Sequence, residues 1–171
     1  MILSDLKSLN STIHEDYHSS EEISTFLQEL ANAFPETTSL YHIGTSFEGR
    51  PLEVVRIAKP NQGKPLRAFV ILGPQHAREW IAASTSLYLA HALSVDPSEQ
   101  HRDHTGFTLG HLLDLYEFHI IPNPNPDGYE YTRTHDRLWY KNRQIVSHDG
   151  MIECMGIDMD SNWVRACLEA L

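Results

Sequence analysis

The spacing of apolar residues predicts an amphipathic helix near the start of the chain. Ser19 and Glu22 form the S-x-x-E pattern of a capping box, which is typical of a helix N-terminus. Beyond it, apolar residues recur at helical spacing as far as Pro35. They are Ile23, Phe26, Leu27, Leu30, Ala31 and Phe34. We therefore expect one helix over roughly 20–34.

Two runs rich in β-forming residues follow this helix, at 39–45 and 52–58. Gly49 and Pro51 lie in the segment between them, and both residue types favour turns. The pattern predicts a hairpin that turns at 48–51.

Strand and helix patterns alternate in the next part of the chain. The mostly apolar run 67–72 predicts a strand that ends at Gly73 and Pro74, and a helical pattern begins near Ala77. The polar segment 96–106 is expected to be a surface loop, 108–115 a short helix and 116–121 a strand. This alternation predicts an α/β fold in which helices flank a sheet.

Length, charge and hydropathy restrict the class of protein. A chain of 171 residues, 41% of them hydrophobic, is long enough for one domain with a sizeable core. The formal net charge of −10 gives no electrostatic support for binding nucleic acid. No apolar run approaches the ~20 residues needed to span a bilayer, and residues 1–9 show no secretory signal. We expect neither nucleic acid nor a membrane as a partner.

The two cysteines, Cys154 and Cys167, leave the redox state open. They would close a short loop in an oxidising compartment, or remain two ordinary thiols in a reducing one. Nothing in their spacing decides between these two alternatives.

Residues 14–18 contain one candidate metal motif. His14, Glu15 and His18 match the zincin pattern HExxH, in which two histidines one helical turn apart bind zinc and the glutamate is the base. That pattern requires a buried helix. The flanking residues are polar and the capping box comes after the motif, so a solvated N-terminal segment is the alternative interpretation.

A second candidate is the HxxE pair of His76 and Glu79. Residues at this spacing, on a turn or a first helical turn, can direct both side chains at one ion. The bare pattern is weak, because His18 and Glu21 repeat it. His76 differs in its context, since it follows a predicted strand and a Gly-Pro turn, where α/β sheets tend to place their sites.

The remaining histidines are expected to be structural. His119 lies in an apolar strand pattern and is expected to be a core or edge residue. His91 and His111 are expected on helix surfaces, and His101 and His104 in the solvated loop.

The segment 73–81, Gly-Pro-Gln-His-Ala-Arg-Glu-Trp-Ile, resembles the first zinc-ligand motif of the carboxypeptidase A/B family. Segment 44–50 resembles the family's upstream strand and turn, and 125–129 its Asn-Pro-Asp-Gly segment. Segments 137–139, 156–158 and 162–163 continue the match in order. The resemblance covers 17–163, which leaves 1–16 as an N-terminal extension and 164–171 as an unmatched tail.

The resemblance implies an activity and a cofactor. It implies a mixed sheet flanked by helices, with His76 and Glu79 as Zn²⁺ ligands and Arg78 as a substrate-subsite residue. The implied reaction removes C-terminal residues from peptides, the implied partner is a peptide or protein C-terminus, and the implied location is secreted or vacuolar. The family's third zinc ligand and general-base glutamate lie beyond the matched region. We therefore expect this chain to be a truncated portion of the fold, incomplete at its C-terminus.

Three positions depart from the family pattern. Tyr140 stands where the family has an arginine, and a phenol donates one hydrogen bond without a charge. Asp160 and Ser161 stand where the family has the Asn-Arg pair that binds the substrate's terminal carboxylate. A carboxylate at that place repels a carboxylate substrate. These changes resemble fungal carboxypeptidase-like proteins that lack activity. The alternative function is therefore an inactive protein that binds peptide or zinc without catalysis.

Overall fold

A four-stranded mixed sheet forms the centre of the computed structural model, which describes residues 6–60, 66–95, 109–148 and 151–162. Its strands are β1 (Thr38–Thr45), β2 (Pro51–Ile57), β3 (Arg67–Leu72) and β4 (Tyr116–Ile121). They lie in the order β1-β2-β4-β3, with β3 and β4 parallel and the other neighbours antiparallel. The expected α/β fold with a mixed sheet is confirmed.

Helices and a small second sheet complete the described part. The helices are α1 (Ser20–Ala33), α2 (Trp80–Ser94), α3 (Leu109–Leu112) and α4 (Pro126–Thr134). β5 (Ile145–His148) and β6 (Met151–Met155) form an antiparallel pair. Single turns of 3₁₀ helix include Thr12–His14 and Asp160–Asn162. No helix in these ranges is long and apolar enough to cross a membrane.

Helix α1 begins where its capping box predicts. The Ser19 hydroxyl accepts a hydrogen bond from the Glu22 amide, and the Glu22 carboxylate accepts one from the Ser19 amide. These bonds satisfy amide groups that a helix start otherwise leaves unpaired. Ile23, Phe26, Leu27 and Leu30 are buried along one face, as the periodicity predicts.

The core lies between helices α1 and α2 and one face of the sheet. Val55, Ile57, Phe118 and Ile120 alternate with residues of the opposite face on β2 and β4, and all four are buried. Burying a side chain of this size contributes roughly 1.5–3 kcal/mol. The same core includes Tyr129 on α4, which anchors the segment that follows β4.

The β1–β2 hairpin turns at the predicted place and is fastened to α4. Gly49 has a φ of 87°, a backbone conformation that favours glycine. The buried carboxylate of Asp127 accepts hydrogen bonds from the Ser46 hydroxyl, the Glu48 amide and the Arg50 guanidinium, at 2.7, 2.9 and 2.7 Å. The hairpin and the start of α4 therefore behave as one unit.

His91 is completely buried, so its expected place on a helix surface was wrong. Its Nε2 donates to the Leu6 carbonyl at 2.7 Å, and its Nδ1 accepts from His14 Nε2 at 2.9 Å. Leu6 and Ile13 are also buried, so the segment before α1 packs against α2 and is not solvated at these residues. His111 is exposed on α3, as expected.

Some of the predicted features lie partly or wholly outside the residues that the structure describes. The loop expected at 96–106, with His101 and His104, lies outside them, and the helix expected at 108–115 is limited to Leu109–Leu112 followed by a turn. Cys154 is exposed without a disulfide partner in the described ranges, which do not include Cys167. His119 is half-buried on β4, where it contacts the Tyr41 hydroxyl at 2.6 Å.

Candidate functional site

The turn between β3 and α2 carries the candidate site. Gly73 is the first residue after β3, and it packs closely against the segment that follows β4. A Cβ atom at this position would lie 2.1 Å from the Pro122 carbonyl oxygen. Only glycine allows this approach. The Asn125 amide group donates to the Gln75 carbonyl at 2.8 Å, and the Ala77 amide donates to the Tyr140 carbonyl at 3.0 Å. The backbone on both sides of His76 is therefore fixed by residues distant in sequence.

The side chains of His76 and Glu79 meet in this turn, just before α2 begins. His76 Nδ1 lies 3.0 Å from Glu79 Oε1. Because an ionised carboxylate only accepts hydrogen bonds, the hydrogen of this contact is on Nδ1. Glu79 is the residue before the first helical position of α2, so the pair lies on a turn and not within the helix.

The geometry of this pair fits two ligands of one zinc ion. Two tetrahedral zinc ligands at about 2.0–2.2 Å would lie about 3.3–3.6 Å apart, a few tenths of an ångström more than the observed 3.0 Å contact. An imidazole and a carboxylate also suit zinc chemically. The described residues contain no group of three or more His, Cys, Asp or Glu side chains arranged to hold a metal. His76 and Glu79 thus form what we term a half-site.

Asp158 lies behind the half-site and is a candidate residue that the sequence motifs did not single out. Its carboxylate accepts hydrogen bonds from the Tyr140 hydroxyl at 3.0 Å, the Ser161 hydroxyl at 2.7 Å and the Asp160 amide at 3.2 Å. Its Oδ1 lies 3.7 Å from His76 Nε2. The bond from Ser161, and then those from Tyr140 and Asp160, hold the pKa of Asp158 below its ordinary value. The one sequence signal was its place in the matched segment 156–158.

Tyr140 connects the other candidate residues. Its ring stacks on the imidazole of His76, with centroids 4.3 Å apart and planes 21° apart. The Arg78 guanidinium lies 5.2 Å from the centroid of the same ring. Because the Tyr140 hydroxyl donates to Asp158, the pKa of Tyr140 is raised. His76, Glu79, Arg78 and Tyr140 therefore come together.

Asp160 and Ser161 are exposed on the 3₁₀ turn that follows β6. They join the site through Asp158, because the Ser161 hydroxyl and the Asp160 amide both bond its carboxylate. The hydroxyl of Ser161 has one hydrogen to donate, and Asp158 accepts it.

The alternative motif at 14–18 does not converge on one point. His14 Nε2 bonds to His91, and His18 Nε2 donates to the Ile13 carbonyl at 2.8 Å. Thr12–His14 is a single 3₁₀ turn, and α1 starts only at Ser20. The buried helix that a zincin requires is thus not formed by residues 12–18, all of which the structure describes.

A mixed α/β sheet that presents a histidine and a glutamate at the carboxyl end of a parallel strand is typical of a metallohydrolase. The sequence narrows this class, because the zinc carboxypeptidase profile matches residues 23–169. The chain belongs to the zinc carboxypeptidase family.

Individual relatives agree with this assignment. The chain is 40% identical over 151 residues to an inactive metallocarboxypeptidase, ECM14, of Ajellomyces dermatitidis. It is 37% identical over 147 residues to carboxypeptidase B of Astacus astacus. Among solved structures, thrombin activatable fibrinolysis inhibitor superposes with a TM-score of 0.78 at 30% identity.

The chain is much shorter than these relatives. The matches cover 87%, 86% and 94% of this chain, but only 24%, 44% and 39% of the three relatives respectively. The fold and the family are therefore shared over the matched part.

Proposed function

We propose that this chain supplies the His76–Glu79 part of a zinc site in a carboxypeptidase-like protein that binds Zn²⁺ and peptide C-termini without efficient hydrolysis. The observation that carries the proposal is the 3.0 Å contact between His76 Nδ1 and Glu79 Oε1, backed by Asp158. Bound zinc would polarise a peptide carbonyl and lower the pKa of its water. In this proposal His76 and Glu79 would hold the ion, and Asp158 is the carboxylate nearest to the other ring nitrogen of His76, at 3.7 Å.

The surroundings of the half-site support weak or absent catalysis. Tyr140, which stands in the place of an arginine, donates its one hydroxyl hydrogen to Asp158, so that hydrogen is not available to a peptide carbonyl. The Ser161 hydroxyl is bonded to the same carboxylate, so it offers no donor to a substrate. The exposed carboxylate of Asp160 adds a like charge where a C-terminal carboxylate would bind.

Arg78 is the residue that we propose contacts the peptide C-terminus. Its guanidinium is exposed and lies beside the ring of Tyr140. A single arginine can bind a carboxylate through two parallel hydrogen bonds. We therefore expect weak binding of a free peptide C-terminus and none of an amidated one. A secreted or vacuolar location belongs to the same proposal.

Zinc stoichiometry and peptide hydrolysis test this proposal together. The 171-residue chain should bind zinc, and His76→Ala and Glu79→Gln should each weaken binding about 10-fold or more. The matched control is His42→Ala, which removes a largely exposed histidine of β1. Equal zinc affinity in His76→Ala and wild type would contradict the metal site.

An active carboxypeptidase is the second candidate, and the 37% identity to carboxypeptidase B favours it. Hydrolysis of a blocked dipeptide by the chain, lost in Glu79→Gln and on chelation of zinc, would establish that activity. It would also refute the proposal of a non-catalytic protein.

A further inference from the structure

The second ring nitrogen of His76 has an unusual environment. Nε2 is buried and has no hydrogen-bond partner among the described residues. The nearby Asp158 Oδ1, at 3.7 Å, is too distant for a hydrogen bond. A buried polar nitrogen without a partner costs free energy, so the arrangement around it requires a cause.

The tautomer of His76 explains the long distance. The Glu79 carboxylate requires the hydrogen on Nδ1, so in the neutral ring Nε2 carries a lone pair. That lone pair and the Asp158 carboxylate are both acceptors and do not attract each other. If an ion were bound at Nδ1, the hydrogen of the neutral His76 ring would be on Nε2, where the Asp158 carboxylate could accept it. Carboxylates in this outer position raise the basicity of a histidine ligand.

Asp158 is not free to approach His76. Three donors hold its carboxylate, and two of them, the hydroxyls of Tyr140 and Ser161, bond Oδ2. Tyr140 also stacks on His76, so its ring fixes the plane of the imidazole while its hydroxyl holds the carboxylate. The side chain of Tyr140 therefore positions both His76 and Asp158, the two residues whose hydrogen bond would support a bound metal ion.

We propose that Tyr140 is a positioning residue that weakens zinc binding at His76 by holding Asp158 in a hydrogen bond. The inference rests on the proposed metal site, and it extends that site to a residue with no role as a ligand. In this inference, the tyrosine that stands in place of the family's arginine lowers zinc affinity, in addition to removing a charged contact to the substrate.

Tyr140→Phe is the direct test, because it removes the hydroxyl and keeps the ring that stacks on His76. Outer-shell partners change metal affinity by about 10–100-fold, so we expect zinc to bind roughly 10-fold more tightly to this variant. Competition with a chromophoric chelator measures the affinity. The matched control is Tyr41→Phe, which removes a tyrosine-to-histidine hydrogen bond on β1, at the opposite edge of the sheet. Its zinc affinity should equal that of the wild type.

A double variant shows whether Tyr140 acts through Asp158. In an Asp158→Asn background the charged acceptor is gone, so Tyr140→Phe should no longer tighten zinc binding. A gain of the same size in both backgrounds would mean that the hydroxyl acts by another route, and would overturn the inference.

The tautomer of His76 gives a readout that does not depend on zinc. Long-range proton–nitrogen NMR spectra of the metal-free chain should show the hydrogen on Nδ1 in the wild type. In Tyr140→Phe the population with hydrogen on Nε2 should increase. Absence of zinc binding in every variant would overturn the proposed function and the effect of Tyr140 on zinc, while the tautomer shift would still show whether Tyr140 holds Asp158 away from His76. Zinc binding that depends on His76 but is unchanged in Tyr140→Phe, without a tautomer shift, would sink the inference about Tyr140.

Discussion

Arg50 and Asp127 form an ion pair of 2.7 Å that joins the β1–β2 turn to the first turn of α4. Asp127 is almost completely buried, whereas Arg50 is partly exposed. Asn125, two residues before Asp127, caps α4 and holds the Gln75 carbonyl beside His76. The ion pair thus supports the backbone on which the half-site is built.

Replacement of Asp127 should destabilise the chain strongly. Asp127→Ala leaves the Ser46 hydroxyl, the Glu48 amide and part of the Arg50 charge without their buried acceptor. We expect the free energy of unfolding to fall by about 2–4 kcal/mol. Urea denaturation measures this change. Glu48→Ala is the control, because it removes an exposed carboxylate that pairs with Arg50 and lies 3.8 Å from Arg143, and it should cost less than about 1 kcal/mol. Equal effects of the two variants would contradict the structural role of Asp127.

Gly73 should tolerate no side chain. In Gly73→Ala the new methyl group would meet the Pro122 carbonyl at 2.1 Å, so the turn before His76 must shift. We expect a loss of about 1–3 kcal/mol in the free energy of unfolding and weaker zinc binding. Gly44→Ala is the control, because its new methyl carbon would lie at an ordinary van der Waals distance, 3.9 Å, from a Leu52 side-chain atom. A Gly73→Ala variant as stable as Gly44→Ala would show that the turn is not constrained.

Phe26 and Phe47 have the same side chain but differ in burial, so their replacement should differ in its effect on stability. Phe26 of α1 is fully buried and its ring packs against His14 and His91, while Phe47 in the hairpin turn is 58% exposed. Phe26→Ala should lower the free energy of unfolding by about 3–5 kcal/mol, and Phe47→Ala by less than about 1 kcal/mol. Thermal or urea denaturation compares them directly, and similar losses would refute the described core.

The His14–His91 contact should make the chain less stable in acid. Burial, together with the neighbouring His91 and His18, lowers the pKa of His14 from 6.5 to about 4, and burial lowers that of His91. The unfolded chain protonates these rings below about pH 6.5, whereas the folded chain keeps them neutral. The free energy of unfolding should therefore fall as the pH is lowered from about 6.5 towards 4, by about 2 kcal/mol from His14.

Urea denaturation over this pH range checks the expectation. Tyr88 and His91 of α2 face the His14 ring, and Phe26 of α1 packs against it. His14→Asn should flatten the pH profile, while His42→Asn, which changes an exposed histidine, should leave it unaltered. An unchanged profile in His14→Asn would mean that the contact does not control acid stability.

Local sequence determined the elements near the site. The capping box of Ser19 and Glu22 fixed the start of α1, and the predicted strand 67–72 matches β3 residue for residue. These features are encoded within a few residues, because capping and turn chemistry act over short range. The same holds for the family assignment, which follows from short motifs in a fixed order.

Tertiary packing decided what those signals left open. His91 has an ordinary place in a helical pattern, yet α2 is covered by Leu6 and His14, which lie more than 70 residues away in sequence. Asp158 lies beside His76 only because residues 140 and 158–161 fold back onto the turn after β3. Burial and hydrogen-bond partners depend on contacts between distant segments, which no local pattern contains. The sequence by itself determined that His76 and Glu79 lie on a turn after a strand. The tertiary structure alone decided that Asp158, which accepts a hydrogen bond from Tyr140, lies 3.7 Å from the nitrogen of His76 that faces away from Glu79.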